Sequence, residues 1–227
     1  MFKKRSKSSE LLDAEHIPNK DLFLCLKELN TINYLLGGYN ITINAIKKII
    51  DKSTTHHIVD IGCGGGDTLK HIRNWSKRKG YNVNLSGIDL KATCIDYALQ
   101  NSHEDISFIC DDYRNIHHHV WNVDIIHASL FCHHLTEAEI IDLIRYAISH
   151  GAILIINDLE RNRFAYYAIK LLTQLFSNSY LIKNDAPLSV LRGFKKVEWQ
   201  KILEQSGAKK YTIKNKWAFR HEVIVYA

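Results

Sequence analysis

Proline is nearly absent from this chain, with two in 227 residues, and no Gly/Ser-rich stretch divides it. Nothing therefore reads as an interdomain linker, and the length suits one α/β domain with an added N-terminal segment. Cysteine is sparse. Cys25, Cys63, Cys94, Cys110 and Cys132 are widely spaced, odd in number, and form no C-x-x-C. That speaks against a disulfide framework and against a zinc site, and it suits reduced thiols in a cytoplasm. No apolar run reaches the roughly 20 residues of a membrane-spanning helix. The basic start, Met1-Phe2-Lys3-Lys4-Arg5, lacks the apolar stretch of a secretory signal. The expectation is a cytoplasmic protein with no membrane span. No H-E-x-x-H or acid cluster accompanies His117-His118-His119. Three adjacent histidines cannot all face one ion from a regular element, so they read as surface residues and no metal is expected.

What is present is a hydrophobic content of 46%, enough for a sizeable core, and a net charge of +6. The basic residues concentrate in Lys3 to Lys7 and in Lys195 to Arg220. Such a surface suits nucleic acid or anionic lipid, although a solvated face is the commoner use of it.

The chain is organised around His57-Ile58-Val59-Asp60-Ile61-Gly62-Cys63-Gly64-Gly65-Gly66-Asp67-Thr68. A short apolar run broken by one acid collapses into glycines, and a helical pattern with Leu69 and Ile72 on one face follows. Strand, glycine turn and helix is the layout of a nucleotide-type cofactor site. Glycines allow positive φ and a close backbone approach to a ligand. Asp60, at the strand end, can accept from a bound ammonium or hydroxyl. Position 67 is Asp, so the full G-x-G-x-x-G is not met, and no Lys-Ser/Thr pair follows as in a P-loop.

Val59-Asp60-Ile61-Gly62-Cys63-Gly64-Gly65-Gly66 resembles the first motif of class I S-adenosylmethionine-dependent methyltransferases, in which Asp60, Gly62, Cys63, Gly64 and Gly66 would meet the cofactor. A second strand ends in Gly87-Ile88-Asp89-Leu90. Asp89 lies 23 residues beyond Gly66, near the spacing at which an acid meets a ribose. Asp89 and Leu90 resemble the family's second motif. Asp111-Asp112-Tyr113, after a strand over Ile106 to Cys110, is similar to the third, which holds the adenine edge; which acid does so stays open. Ala128-Ser129, ending the strand from Val123, resembles the fourth, beside the donor sulfur. His133 and His134 follow, at the carboxyl edge of the sheet where ligands bind in open α/β folds. Histidine is the usual proton acceptor near neutral pH. His134 is the first candidate for a general base and His133 the second. His16, Asp158 and Arg161 are weaker candidates for holding an acceptor.

Ahead of the first strand, residues 1–18 read as a polar, mobile head. Two helices follow: one with Leu22, Leu26, Leu29 and Leu36 on a stripe, ended by Gly37-Gly38, and one built on Ile43, Ile46, Ile49 and Ile50. Residues 1–52 thus form an N-terminal extension and helical cap, and residues 53–227 the cofactor-binding domain, with an insertion near 162–193. In the insertion, Phe164, Tyr167, Ala168, Leu171, Leu172 and Leu175 share a helix face suited to an apolar acceptor wall, and 177–193 reads as a loop. This part is similar to a bacterial subgroup related to the ubiquinone-pathway methyltransferases.

The resemblance implies a Rossmann-like seven-stranded, mostly parallel sheet with an antiparallel last strand and helices on both faces. It implies S-adenosylmethionine as donor, S-adenosylhomocysteine as product, and a small apolar or phenolic acceptor, with O-methylation the expected chemistry. The alternatives are an RNA or protein methyltransferase using the basic surface, and a non-catalytic cofactor-binding module. Against adenine amino methylation there is no D/N-P-P-Y/F/W, and against cytosine C5 methylation Cys132 has no preceding proline. Acceptor identity and oligomeric state are not written in the sequence.

Overall fold

The computed structural model describes residues 2–119 and 122–227. Helices α1 (Asn19–Leu35) and α2 (Gly38–Ile46) precede β1 (Thr55–Ile61). Then come α3 (Asp67–Lys79), β2 (Asn82–Asp89), α4 (Ala92–Asn101), β3 (Ile106–Cys110) and the single turn α5 (Ile116–His119). They are followed by β4 (Ile125–Ser129), α6 (Glu137–Ser149), β5 (Ile153–Leu159), α7 (Arg163–Phe176) and α8 (Tyr180–Arg192). Helix α9 (Lys196–Ser206) and strands β6 (Lys210–Lys216) and β7 (Arg220–Tyr226) close the chain.

The seven strands form one sheet in the order β3-β2-β1-β4-β5-β7-β6. Strands β1 to β5 pair parallel, while β7 runs antiparallel to both β5 and β6. This is the expected Rossmann-like sheet. Period-two alternation divides β1 between two cores. Val59 and Ile61 pack with Ile140, Leu143 and Ile144 of α6 and with Trp199 and Ile202 of α9. Ile58 packs on the opposite face with Ala45 and Ile46 of α2 and with Leu69, Ile72 and Trp75 of α3. The chain leaves β1 toward β2 and β3 and returns on the other side at β4. The crevice at the carboxyl ends of β1 and β4 is therefore a topological switch point, where such sheets bind ligands.

Three sequence expectations change. The head is not mobile: residues 2–18 cross the carboxyl edge of the sheet as a docked strap. Arg5 donates from Nε to the Arg192 carbonyl at 2.7 Å and from Nη2 to the His133 and Leu135 carbonyls, both at 2.9 Å. Its guanidinium lies 3.6 Å from the centre of the Phe194 ring. Leu12 and Ile17 pack among Leu22, Cys25 and Ile182. The strap's polar composition hid these few apolar anchors.

Second, 177–193 is mostly helix. Ser179 caps α8 through the Ile182 amide, and Leu181, Ile182 and Val190 are buried. That burial outweighs the internal Pro187, which suggested a loop. Third, α7 turns four of the six residues of the predicted stripe outward: Phe164, Tyr167, Leu171 and Leu175 are exposed, while Ala168 and Leu172 line the cavity as expected. Its cavity face is Ala165, Ala168, Ile169 and Leu172. Among the described residues, no helix is long and apolar enough to cross a membrane.

Candidate active site

A cavity of about 1090 Å³ opens at the switch point, between the sheet below and α1, α7, α8 and the strap above. The glycine turn forms one end of it. Gly62, Gly64 and Gly66 all have positive φ, of 63°, 52° and 72°. A Cβ on Gly62 would come within 2.1 Å of the Phe131 ring, and one on Gly66 within 2.6 Å of Phe108, so both positions require glycine. A Cβ on Gly64 would meet only Leu26, at 3.7 Å, and Gly64 lines the cavity with Gly62, Cys63 and Gly65. Gly66 does not line it; it sets the turn into α3.

Asp89 sits beside that turn. Its Oδ2 accepts from the Gly64 amide at 2.9 Å and its Oδ1 from the Lys91 amide at 2.9 Å. Burial pushes its carboxyl above the ordinary range, against these hydrogen bonds. A carboxylate so short of solvent, yet open to the cavity, is a ready acceptor for paired ligand hydroxyls. Leu90, Asp111, Asp112 and Tyr113 complete this end. The two acids are already engaged: Asp111 accepts from the Asn115 side chain at 2.9 Å and pairs with His119, while Asp112 accepts from the Arg114 guanidinium. Tyr113 stands edge-on to Phe131 with ring centres 5.3 Å apart. His117 and His118 make no part of the cavity lining.

After β4, Ser129 lines the cavity and Leu130 is held at a φ of 52°. A left-handed leucine is strained, and such residues persist where the surroundings over-determine them. Here the Leu130 amide is fixed to the Asn157 carbonyl at 3.0 Å. The turn sends the chain into a short 3-10 helix, Cys132–His134, that presents both histidines.

Besides Gly66, two more of the cofactor-binding candidates, Asp60 and Ala128, lie outside the lining. Asp60 follows Val59, so alternation places it on the α2 face of the sheet, buried and away from the cavity lining. Its Oδ1 lies 2.7 Å from Nδ1 of His127, whose Nε2 is 3.0 Å from the Thr42 hydroxyl. The Asn157 amide donates to that hydroxyl at 3.2 Å and to the Gly38 carbonyl at 2.9 Å. Arg220, fully buried, donates to Asn157 at 3.4 Å and to Asn33 at 2.9 Å. A continuous polar chain thus ties the cap helices to the sheet. Burial lowers the Arg220 guanidinium to about 10. Ala128 is likewise fully buried outside the lining.

The far end of the cavity is polar. His133 is buried, its Nδ1 2.7 Å from Asp158 Oδ1, and its amide donates to Asp158 Oδ2 at 2.9 Å. Burial alone would raise the Asp158 carboxyl, but His133 and the surrounding amides hold it below its ordinary range. His134 is more open, with its Nδ1 3.2 Å from Asp13 Oδ1. Glu10 reaches in from the strap, 5% exposed, and accepts from the Ser189 hydroxyl at 2.8 Å. Burial pushes its carboxyl up. Asp158 thus acts beneath His133 rather than in the cavity, His16 is exposed outside it, and Arg161 is locked to Glu198 at 2.7 Å and to the Gly193 carbonyl. Sequence reasoning missed Glu10 and Asp13. The only signal was the apolar pair Leu11-Leu12 interrupting a polar stretch.

Residues 58–150 match the family described as "Methyltransferase domain". Among similar solved structures is the plantazolicin methyltransferase BpumL in complex with a triazolic desmethylPZN analog and SAH. It is 16% identical, with a TM-score of 0.66 over 88% of this chain and 89% of that one. Human N-acetylserotonin methyltransferase in complex with SAM is 16% identical, with a TM-score of 0.65 over 97% of this chain and 60% of that one. A putative O-methyltransferase from Nostoc punctiforme is 10% identical, with a TM-score of 0.59 over 90% and 60%. This chain therefore spans about three-fifths of the length of the latter two. No curated protein sequence matches it. At these identities the likeness is one of fold.

Proposed function

We propose that this chain, a methyltransferase domain over residues 58–150 set in the class I methyltransferase fold, transfers a methyl group from S-adenosylmethionine to the hydroxyl of a small apolar or phenolic acceptor. The observation that carries the reading is the polarity of one cavity. Glycine backbone and Asp89 line one part of it, Glu10, His133 and His134 another, and Leu26, Leu29, Ile169, Leu172, Ile182 and Val190 supply apolar wall in the same cavity.

The donor fits the first end. The Gly64 position leaves room where a side chain would project, and Asp89 is a half-buried acceptor suited to ribose hydroxyls. Bound there, S-adenosylmethionine supplies a methyl group activated by its sulfonium charge. The protein's share is positioning, which apolar walls and a fixed turn provide. They also suit an acceptor with an aromatic or aliphatic body and one polar tip.

That tip belongs at the histidine end. A phenol titrates near 10, so it needs help to lose its proton at neutral pH. Of the two histidines, His133 is the better-placed base. Asp158 fixes its ring through Nδ1 and leaves Nε2 toward the cavity. Base catalysis of this kind contributes about 10²–10⁴-fold.

Calorimetry with S-adenosylhomocysteine, followed by methyl transfer to a panel of phenols, tests the reading. Wild type should bind one equivalent and methylate oxygen. His133→Gln, which keeps a donor toward Asp158, should keep the affinity and lose most of kcat. A folded wild type that binds no S-adenosylhomocysteine ends the proposal. Full turnover in His133→Gln removes the base and leaves positioning alone.

A further inference from the structure

We propose that Glu10, His133 and His134 together form a binding site for a divalent cation of borderline softness, of which Zn²⁺ is the type, at the acceptor end of the cavity. The inference rests on the reading of that end as the place where the acceptor hydroxyl is handled.

Three side chains from two distant segments converge there. Glu10 belongs to the strap and the histidines to the 3-10 turn after β4. Their ligand atoms all lie within 4.8 Å of one another. His133 Nε2 is 3.6 Å from Glu10 Oε1, and His134 Nε2 is 3.8 Å from Glu10 Oε2. These distances are too long for hydrogen bonds. They are close to the ~3.3 Å that separates two ligands of a tetrahedral zinc ion with bonds near 2.0–2.1 Å.

The outer contacts point the same way. Each histidine turns its other nitrogen to a carboxylate: Nδ1 of His133 to Asp158 at 2.7 Å, and Nδ1 of His134 to Asp13 at 3.2 Å. Such an anchor fixes the ring and sets its tautomer, as in carboxylate–histidine–zinc sites. The pattern occurs twice here, with both free nitrogens aimed at one buried carboxylate. Glu10 is 5% exposed, and a carboxylate so short of solvation is stabilised by a cation beside it. Two imidazole ligands suit zinc and its neighbours rather than calcium or magnesium, and zinc accepts a carboxylate beside them.

Three protein ligands leave a fourth position, and all three residues line the cavity. Three ligands with one open position is the pattern of catalytic zinc. An acceptor hydroxyl taking that position releases its proton to buffer at a lower pH than when free. It then attacks as an oxyanion: the O–CH₃ bond forms as the S–CH₃ bond breaks, and the sulfur leaves neutral. In that state the histidines are ligands, and the ion takes over the role of the base.

The test uses the full chain, stripped of metal and titrated with Zn²⁺ alone, with S-adenosylhomocysteine calorimetry run in parallel. Surface histidines are controlled with the double variant His117→Ala/His118→Ala. We expect one equivalent of Zn²⁺ in wild type and in that control, and the visible spectrum of a tetrahedral site when Co²⁺ replaces it. Glu10→Gln and His134→Ala should each weaken Zn²⁺ at least tenfold while leaving S-adenosylhomocysteine affinity in place. Asp13→Asn should weaken it by about 10–100-fold, since Asp13 holds both the His134 ring and the Glu10 amide. A wild type that takes up no Zn²⁺ yet binds S-adenosylhomocysteine overturns the metal site and leaves the methyltransferase reading standing. Undiminished uptake in both Glu10→Gln and His134→Ala overturns it as well. A folded wild type that binds no S-adenosylhomocysteine overturns the reading on which the site rests.

Discussion

Two aspartates at the ends of neighbouring strands have opposite duties. Asp89 faces the cavity and Asp60 faces the His127 ring beneath it. Asp89→Ala should weaken S-adenosylhomocysteine by about 1–3 kcal/mol, the cost of leaving ligand hydroxyls without an acceptor. Asp60→Asn should leave that affinity nearly unchanged and lower the thermal midpoint instead. Calorimetry on the pair decides, and an equal loss of affinity in both would contradict the assignment. The duty of Asp89 was legible in the sequence because it depends on local spacing from the glycine turn. The direction of Asp60 was also legible in principle, since alternation along β1 puts it with Ile58 and opposite Val59. Glu10 was not legible: its partner Ser189 lies 179 residues away, and nothing local marks a polar strap as docked.

At the scale of elements, the sequence reading was sharpest where the signal was short-range. Strand β3 has the bounds that its apolar run suggested. It failed at α8, where tertiary burial overrode Pro187, and in part at α7, where Ala168 and Leu172 of the stripe face the cavity but the aromatic and remaining leucine side chains face outward. Helix α9 carries the next expectation. Its Glu198 binds Arg161 through two bonds, at 2.7 and 3.0 Å, and also accepts from the Lys195 amide. Burial alone would push the Glu198 carboxyl up, but the Arg161 guanidinium and the Lys195 amide outweigh it and hold the group below the usual range. A carboxyl depressed on folding stabilises fully above its unfolded value, near 4.3, and loses that contribution as pH falls through its folded value. Glu198→Gln should therefore cost about 1.5–3 kcal/mol at neutral pH, with the difference from wild type shrinking toward acid. Urea unfolding at several pH values measures it; a difference that grows below pH 4 would reverse the sign argued here.

For the molecule as a whole, the cysteines report how tightly the layers close. Cys25, Cys63, Cys94 and Cys132 are buried, whereas Cys110 is exposed. Burial pushes the Cys25 and Cys94 thiols up to about 12, so little thiolate exists there to react. A thiol-reactive probe at neutral pH should label one group quickly, vanishing in Cys110→Ser, and the other four only as the protein opens. Several fast thiols would mean a looser roof than the contacts describe. The polar chain from Asp60 to Asn33 has a consequence for how such a molecule is made. Helices α1 and α2 are translated early, yet Arg220, to which Asn33 is bonded, follows it by 187 positions. A nascent chain halted before β7 has emerged with the glycine turn, β1 to β4 and both cap helices, but without the cation that joins Asn33 to Asn157. The ribosome thus delivers the cap helices before the sheet that they cover, and they lock onto it only with β7.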